Sequence, residues 1–311
     1  MPMLSVIIPA FNEGAAVTAA ADCLTGLLGG AAIEHEIIFV DDGSSDDTWA
    51  QVEALGRGNP RIAGIRLSRN FGKESAILAG LTQADGEACV IMDCDLQFPP
   101  GLVPQMYGIW HAGGVDIVEG IKRFRGNESA FYRFGANAFN WLIECFGKVR
   151  LKDSCDFQLL DRRVVDIIVA MPERQRFFRA LSKWVGFRRV QIPFNVEPRT
   201  TGTSKFNFRK SSQYALENLS SFSAAPMQII TLSGLIFFTL SALLGAQTLF
   251  RWFAGDSVEG FTTVILLLLI IGSLLMFSIG LLGFYVAKIY EEVKFRPMYL
   301  VQSTINKANK H

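Results

Sequence analysis

Two long stretches without a charged residue constrain this chain more than any other feature of its sequence. Residues 226–250 and 262–287 contain no Asp, Glu, Lys or Arg, and they are 25 and 26 residues long. A helix of about 20 apolar residues crosses the hydrocarbon core of a bilayer. With the short segment 251–260 between them, the two stretches predict a two-helix transmembrane hairpin. The alternative is a pair of buried core helices, but 264–271 is apolar on every face, whereas a core helix keeps a polar stripe.

The distribution of Lys and Arg predicts the orientation of this hairpin. Five basic residues follow the second stretch, namely Lys288, Lys294, Arg296, Lys307 and Lys310. The segment 251–260 has a single basic residue, Arg251, against two acidic ones. Because cytoplasmic segments of membrane proteins carry the excess of Lys and Arg, both termini are expected in the cytoplasm. The apolar run at 4–8 is also too short for the core of a signal peptide.

These features divide the chain into four predicted parts. Residues 1–204 carry a normal density of charge and predict a cytoplasmic globular domain. Residues 205–225 combine Lys and Arg with aromatic and small side chains, which predicts interfacial helices at the headgroup level; the alternative is an ordinary amphipathic helix of the globular domain. The two transmembrane helices occupy 226–288, and 289–311 is predicted to be a cytoplasmic tail.

Apolar runs and helix-compatible segments alternate in the N-terminal part. The apolar runs are 3–9, 37–40, 62–67 and 88–92, and the helix-compatible segments between them are 13–28, 46–55 and 73–84. This alternation predicts an α/β fold with a parallel sheet and helices on both faces. Ligands bind such sheets at the carboxyl ends of the strands, which is where polar residues cluster here.

Several classes of protein are excluded by what the sequence lacks. Five cysteines without C-x-x-C spacing and three scattered histidines argue against a disulfide framework and a zinc site. The sequence has neither G-x-G-x-x-G nor G-x-x-x-x-G-K-[ST], so a dinucleotide dehydrogenase and a P-loop NTPase are excluded. Half of the residues are hydrophobic and the net charge is +1, which excludes a disordered chain.

The sharpest chemical signal is the pair Asp93 and Asp95, which directly follows the apolar run 88–92. Two carboxylates at this spacing can converge on one hard cation, Mg²⁺ or Mn²⁺, whose coordination substrate phosphates often complete. The alternative is a solvated loop, because D-x-D alone is common by chance. The position at the end of a buried strand favours a metal site.

A second acidic cluster, Asp41 and Asp42, ends another apolar run. Asp and Gly favour a turn here, and Ser45 or Asp46 is suited to cap the next helix. A cap needs one carboxylate, so two further ones at the strand end predict hydrogen bonds to the base or ribose of a nucleotide.

The segment 172–210 is strongly basic, although the whole chain is nearly neutral. It contains ten Lys or Arg residues and two Glu residues, a net charge of +8. Such a segment beside a bilayer attracts anionic headgroups, and it could also hold the phosphate of a substrate. The alternative is a flexible basic linker. Nucleic acid is not expected as a partner, because it would compete with the membrane.

Four motifs together resemble a known family. They are SVIIPAFNE at 5–13, VDDGS at 40–44, NFGK at 70–73 and MDCDLQFPP at 92–100, and their order and spacing resemble inverting family 2 glycosyltransferases of the GT-A (Rossmann-like) fold. The C-terminal pair of apolar stretches and RTTGTSK at 199–205 resemble the polyprenyl-phosphate glycosyltransferases. That group includes GtrB-like bactoprenol glucosyltransferases and dolichol-phosphate mannose synthase.

The resemblance implies roles on the donor side. Pro9, Phe11, Glu13 and Asp42 would line the nucleotide pocket, and Asp41 would support it. Asp93 and Asp95 would hold a divalent cation, Mg²⁺ or Mn²⁺, on the diphosphate, with Gln97 close by. The family often has an acidic residue where this chain has Phe98, and this difference leaves the metal dependence open.

The resemblance also implies roles on the acceptor side. Arg199, Ser204 and Lys205 would contact phosphate near an acceptor loop, and a basic residue expected after Gly120 corresponds to Lys122 or Arg123. Asp156 matches a carboxylate proposed as the catalytic base. A lipid monophosphate has a second pKa of about 6 and is already largely dianionic at neutral pH, so the alternative is that Asp156 orients the acceptor.

The reaction implied is inverting transfer of a sugar, most simply from UDP-glucose, to undecaprenyl phosphate, which yields a lipid-linked β-sugar phosphate. The enzyme would act as a homo-oligomer, a tetramer by resemblance, at the cytoplasmic face of the bacterial inner membrane. Alternatives are another donor such as GDP-mannose or UDP-GlcNAc, a processive polysaccharide synthase and a non-catalytic membrane scaffold. A processive synthase has a Gln-x-x-Arg-Trp motif, and QRFFR at 175–179 only superficially resembles it.

Overall fold

The computed structural model describes residues 3–122, 154–174, 176–194, 225–254 and 260–307. The chain groups into two compact units, of which one contains a β-sheet with its covering helices and the other contains two long C-terminal helices. The interfacial helices predicted for 205–225 lie outside the described residues, apart from Ala225.

Eight strands form one mixed sheet. They are β1 Leu4–Ala10, β2 His35–Asp41, β3 Ile62–Leu67, β4 Ala88–Ile91, β5 Ile117–Lys122, β6 Ser154–Asp161, β7 Arg189–Phe194 and β8 Val301–Ile305. Their order across the sheet is β7-β5-β6-β4-β1-β2-β3-β8. Strands β1 to β4 pair in parallel, which confirms the four predicted strands. A parallel sheet was predicted, but the sheet is mixed. Strand β6 runs antiparallel to β4 and β5, and β8 runs antiparallel to β3.

Within the described residues, six helices belong to the unit that contains the sheet. They are α1 Gly14–Gly30, α2 Thr48–Gly58, α3 Lys73–Gln83, α4 Leu102–His111, α5 Arg162–Ala170 and α6 Phe178–Trp184. The three predicted helices correspond to α1, α2 and α3. The sequence pattern therefore located the alternating part of the fold within a few residues.

The sheet is buried on both faces because its side chains alternate between two hydrophobic cores. On β1, Val6 and Ile8 point into a core with Leu24 of α1, whereas Ile7 points into a second core with Ala79 of α3. A strand buried on both faces reads as a continuous apolar run, which explains why the sequence of β1 shows no alternation. Burial of one large aliphatic side chain stabilises the fold by about 1.5–3 kcal/mol.

The second unit contains α7, Ala225–Phe253, and α8, Phe261–Val293. These bounds confirm that both charge-free stretches are helical. Of the residues that the structure describes, one segment, Ile270–Val293, has the length and the hydropathy of a membrane span, with a mean hydropathy of 2.1. The apolar helix α8 therefore supports membrane association, and the two-span hairpin stays a prediction.

The C-terminal residues return to the sheet as β8, a feature that the prediction of a tail at 289–311 did not contain. Strand β8 pairs with β3 from Gly64 opposite Ile305 to Leu67 opposite Val301. The side chain of Asn306 then donates from Nδ2 to the carbonyls of Gly56 at 2.6 Å and Ile62 at 2.8 Å. These contacts fasten the chain that follows α8 to the edge of the sheet.

We expect Asn306→Ala to lower the thermal stability of the protein by a few degrees. The change removes two well-formed hydrogen bonds, each worth about 1 kcal/mol, and leaves Ala at a φ of 56°, where a side chain with Cβ is strained. Asn306→Gly removes the same hydrogen bonds without that strain and should be less destabilised. Differential scanning fluorimetry in detergent would measure both, and equal melting temperatures for all three proteins would contradict the anchoring of β8.

Candidate active site

Three polar segments meet at the carboxyl ends of β1, β2 and β4. Strand β1 lies between β2 and β4 and pairs in parallel with both, so the residues that follow each strand emerge at the same edge of the sheet. This edge brings together Glu13, Asp42 and Asp93 from three separate parts of the chain. The structure therefore brings the predicted acidic motifs together at this edge of the sheet, and their role as a ligand site stays a prediction.

The loop after β1 is tied to the loop after β2 by hydrogen bonds. The backbone amide of Asn12 donates to Ser44 Oγ at 2.9 Å, and Asn12 Oδ1 accepts from the amide of Ser45 at 2.9 Å. The amide of Glu13 donates to Thr48 Oγ1 at 2.9 Å. Asn12 has a φ of 54°, a left-handed conformation that Asn tolerates better than most residues. The two loops therefore form one cross-linked structure.

Both carboxylate oxygens of Asp42 accept backbone amides from the NFGK segment. Oδ1 accepts from the amide of Phe71 at 2.7 Å and Oδ2 from that of Gly72 at 2.9 Å. Burial raises the pKa of Asp42, and these two amides partly oppose the rise. Asp42 thus fixes the turn that leads into α3.

Asp41 is fully buried next to Asp42. Its Oδ1 accepts from the amide of Ser44 at 2.9 Å, and Arg66 Nε lies 3.4 Å from its Oδ2. These contacts hold the turn at Gly43, so the supporting role that the resemblance implied for Asp41 agrees with its position.

Three carboxylates crowd together where a metal ion was predicted. Burial, together with the negative charges of Asp95 and Asp93, raises the pKa of Glu13 to about 7. Among the described residues, the buried Oε2 atom of Glu13 has no hydrogen-bond partner. The amide of Gln97 donates to Asp95 Oδ1 at 3.1 Å. This concentration of hard oxygen donors fits a divalent cation, which would relieve their mutual repulsion.

The protein side of this site supplies only part of a coordination shell. Across the residues that the structure describes, no group of three or more His, Cys, Asp or Glu side chains is arranged to hold a metal ion. Mg²⁺ in particular is usually held by one or two carboxylates plus substrate phosphates and water. The arrangement therefore fits a cation that arrives with a phosphorylated ligand.

Phe98, at the position where the resemblance led us to expect an acidic residue, packs in the core. Its ring stacks on Phe157 of β6 with ring centroids 5.2 Å apart and meets Phe194 of β7 edge-on at 5.6 Å. Phe98 therefore anchors the DCDLQ loop to the sheet.

Asp156, on β6, is buried between two cations. Arg179 of α6 donates from Nε to Oδ1 at 2.7 Å and from Nη2 to Oδ2 at 2.9 Å, and Lys73 Nζ donates to Oδ2 at 2.8 Å. Burial disfavours the charged carboxylate, but Lys73 and Arg179 outweigh it and hold the pKa of Asp156 well below its usual range. A carboxylate in this state is a weak base.

Lys73 belongs to both halves of the site. Its Nζ lies 2.5 Å from Asp93 Oδ1 as well as 2.8 Å from Asp156 Oδ2. The partial burial of Lys73 opposes its charge, yet Asp93 and Asp156 together raise the pKa of Lys73 above its usual value. The sequence assigned no role to Lys73, which lies in the NFGK motif, or to Arg179, which lies in the basic segment.

Glu74 joins α3 to α6 beside this cluster. Its Oε2 accepts from the amide of Phe178, the first residue of α6, at 2.9 Å. Burial, with a smaller effect from Asp156, raises the pKa of Glu74 to about 7. Glu74 therefore helps to set the position from which Arg179 reaches Asp156.

The basic segment 172–210 is not a free cationic surface in the part that the structure describes. Four of its arginines donate to acidic side chains or to backbone carbonyls. The acceptors are the carbonyls of Ile168 and Met171 for Arg176, Asp156 for Arg179, Asp116 for Arg188 and Glu119 for Arg189. In the described part of this segment, most of the predicted positive charge is therefore paired with groups of the same domain.

The remaining predicted site residues have different positions. Pro9 lies within β1, partly buried, and the side chain of Phe11 is 45% exposed just after it. Lys122 is the last residue of β5. The side chain of Lys122 lies outside the described residues, as do Arg123, Arg199, Ser204 and Lys205.

Gly43→Ala should destabilise the protein much more than an ordinary glycine replacement. Gly43 has a φ of +69°, and a Cβ there would lie 2.4 Å from the backbone carbonyl carbon of Arg69. Gly113→Ala is the matched control, because Gly113 has a φ of +84° and nothing lies within 4 Å of its Cβ position. The control should lose only about 1–2 kcal/mol of folding stability, which is the cost of a left-handed backbone at a residue with Cβ. Equal losses in thermal unfolding would show that the close approach at Gly43 does not matter.

Glu74→Gln should raise the melting temperature at pH 8 by a few degrees and leave it nearly unchanged at pH 5. The folded protein raises the pKa of Glu74 from 4.5 to about 7, so ionisation between these values costs folding stability that is recovered only at low pH. Gln keeps an acceptor for the Phe178 amide. Asp22→Asn, which alters an exposed carboxylate of α1, is the control. A lower melting temperature for Glu74→Gln at pH 8 would contradict the burial penalty.

Comparisons with known proteins agree with this geometry. The sequence profile named Glycosyl transferase family 2 matches residues 5–160. An uncharacterised glycosyltransferase of Synechocystis sp. is 37% identical over 96% of this chain and 94% of that protein. A prophage-derived bactoprenol glucosyl transferase of Shigella flexneri is 33% identical over 97% of this chain and 98% of that protein.

Among solved structures, mannosyl-3-phosphoglycerate synthase from Rubrobacter xylanophilus matches with a TM-score of 0.50 at 17% identity, over 71% of this chain and 73% of that one. This similarity concerns the fold alone. Together with the full-length sequence similarity and the acidic edge of the sheet, it leads to one assignment. The chain belongs to glycosyl transferase family 2 and its sheet-containing unit has the GT-A fold.

Proposed function

We propose that this protein transfers a sugar from a nucleotide-sugar to a polyprenyl phosphate, with undecaprenyl phosphate as the acceptor and UDP-glucose as the donor. The observation that carries the proposal is the reach of the similarity to the bactoprenol glucosyl transferase of Shigella flexneri, which covers 97% of this chain. The similarity therefore extends through the C-terminal helices as well as the sheet. Apolar helices that follow a family 2 domain in the chain suit an acceptor that resides in a bilayer.

Two groups of residues would bind the donor. Asp93 and Asp95, with Glu13 beside them, would hold Mg²⁺ or Mn²⁺, and this cation would neutralise the diphosphate of the leaving nucleotide. Asp42 lies at the end of β2, and the exposed ring of Phe11 offers a surface on which a base can stack. Another nucleotide-sugar, such as GDP-mannose, would use the same groups. The choice of UDP-glucose as donor therefore rests on the resemblance and not on these residues.

The acceptor chemistry requires little proton transfer. A phosphate monoester is largely dianionic at neutral pH, with a second pKa of about 6, so its oxygen can attack the anomeric carbon directly. The new bond forms as the bond from that carbon to the diphosphate breaks, which converts an α-linked donor into a β-linked product. Both oxygens of Asp156 accept hydrogen bonds from cations, which supports a positioning role rather than that of a base.

The membrane part of the proposal places the catalytic unit at the cytoplasmic face of the bacterial inner membrane. Helices α7 and α8 would form the two-span hairpin, with Arg199, Ser204 and Lys205 near the acceptor. A homo-oligomer, a tetramer by family resemblance, is part of the same proposal.

Asp95→Asn should lower kcat/KM for sugar transfer at least about 100-fold, as expected for loss of a group that stabilises the leaving diphosphate. The assay uses the purified protein in detergent with UDP-glucose, Mn²⁺ and undecaprenyl phosphate, and it measures UDP release that depends on the lipid. Asp22→Asn, which alters an exposed carboxylate on α1, is the matched control and should retain full activity.

Two results would contradict the proposal at different points. Full transfer by Asp95→Asn at saturating Mn²⁺ would remove the proposed metal role. Release of UDP from a panel of donors without any dependence on undecaprenyl phosphate would show that the acceptor is not a lipid phosphate.

A further inference from the structure

Lys73, Asp156 and Arg179 form a compact cluster, with Lys73 at the start of α3, Asp156 on β6 and Arg179 on α6. The carboxylate lies in the middle and receives three hydrogen bonds, each between 2.7 and 2.9 Å long. We define these three residues as the Asp156 cluster.

The cluster lies at the catalytic edge of the sheet. Strand β6 runs antiparallel to β4 with Gln158 opposite Ile91, so Asp156 lies beyond the carboxyl end of β4. Lys73 connects the cluster to Asp93 directly, with Nζ 2.5 Å from Asp93 Oδ1. An anion bound to the cluster would therefore lie beside the donor site.

The cluster presents its positive groups to solvent and keeps its negative group inside. The side chains of Lys73 and Arg179 are 39% and 37% exposed, whereas that of Asp156 is 6% exposed. A ligand that approaches from solvent meets two cations that the buried carboxylate holds at a set separation. Lys provides a compact point charge and Arg a planar fork of donors, and both suit phosphate oxygens.

We propose that Lys73 and Arg179 bind the phosphate group of the acceptor and that Asp156 is the positioning residue that holds both cations. This inference rests on the proposed function and deepens it, because it assigns the acceptor phosphate to residues on α3 and α6. Binding there offsets part of the charge of a phosphate monoester next to the donor diphosphate, and it leaves a phosphate oxygen to attack the anomeric carbon.

A second cluster, also a buried aspartate between two basic side chains, provides an internal control. Asp116 is buried and pairs with Arg163 Nη2 at 2.8 Å and Arg188 Nε at 3.0 Å. It precedes β5, and the amide of Asp161 at the far end of β6 donates to its carbonyl oxygen. This cluster and Asp93 therefore lie at opposite ends of the strands. An effect specific to acceptor binding should appear at the Asp156 cluster and not at Asp116.

The test compares Lys73→Gln and Arg179→Gln with the control Arg163→Gln in the full-length protein in detergent. Each of the first two variants should raise the KM for undecaprenyl phosphate about 10- to 100-fold, the scale of one lost hydrogen bond to a charged group. The affinity of Arg179→Gln for UDP, measured by calorimetry, should not change, and this also shows that the variant is folded. Because Lys73 also contacts Asp93, Lys73→Gln is judged by its acceptor KM relative to that of Lys73→Arg. Lys73→Arg keeps the charge and should recover most of the acceptor affinity. Arg163→Gln should change neither quantity.

Direct measurements of phosphate binding test this inference independently of the proposed function. Calorimetry with farnesyl phosphate and with inorganic phosphate, without any donor, should show weaker binding to Lys73→Gln and Arg179→Gln than to the unaltered protein. That result supports the phosphate site even if no donor sugar is transferred. Tighter binding of farnesyl phosphate than of inorganic phosphate supports a lipid-borne acceptor, whereas equal binding to the unaltered protein and both variants overturns the inference.

Two kinetic outcomes would also overturn it. If Lys73→Gln and Arg179→Gln lose UDP affinity while the KM for undecaprenyl phosphate stays the same, the two cations serve the donor. Asp156→Asn should raise the acceptor KM and keep the shape of the pH profile of kcat. If it instead lowers kcat more than about 100-fold and abolishes the acidic limb of that profile, Asp156 is a general base.

Discussion

The parallel pairing of β1 with β2 and β4 is the constraint on which the rest of the site depends. Because side chains of β1 enter a different core on each face, a slip of one residue would place Ile7 in the wrong core. The register therefore sets where each strand ends, and the strand ends set where Glu13, Asp42 and Asp93 emerge. Hydrophobic burial and catalytic geometry are two consequences of one pairing.

The electrostatics of the site follow from that convergence. Burial and the like charges of Asp95 and Asp93 raise the pKa of Glu13 to about 7, which expresses the cost of crowding these carboxylates. On the other side, Asp156 lies between Lys73 and Arg179, where its charge is stabilised. Lys73 contacts both regions, so one side chain links the acidic edge to the cationic cluster. A reaction between two phosphate-bearing substrates requires this kind of division.

Much of the fold could be predicted because the signals are local. Four apolar runs became the four parallel strands, and Asp93 and Asp95 stood out because two carboxylates follow a strand within three residues. Strand β8 could not be predicted in the same way. Its short sequence has no strong alternation, and its partner β3 is separated from it by more than two hundred residues. The long-range pairing, not local propensity, makes it a strand.

The sequence by itself determined the chemistry available at the edge of the sheet and the apolar length of the C-terminal helices, because both depend on residue type and short-range spacing. It could not determine which charges meet. The basic segment counted as +8 along the chain, yet Arg179, Arg188 and Arg189 pair with buried acids from other parts of the chain. Asp156 and Lys73 are 83 positions apart and still form a hydrogen bond. Only the packing of α3 and α6 against the sheet brings these charges together, because an ion pair depends on distance in space and not on separation along the chain.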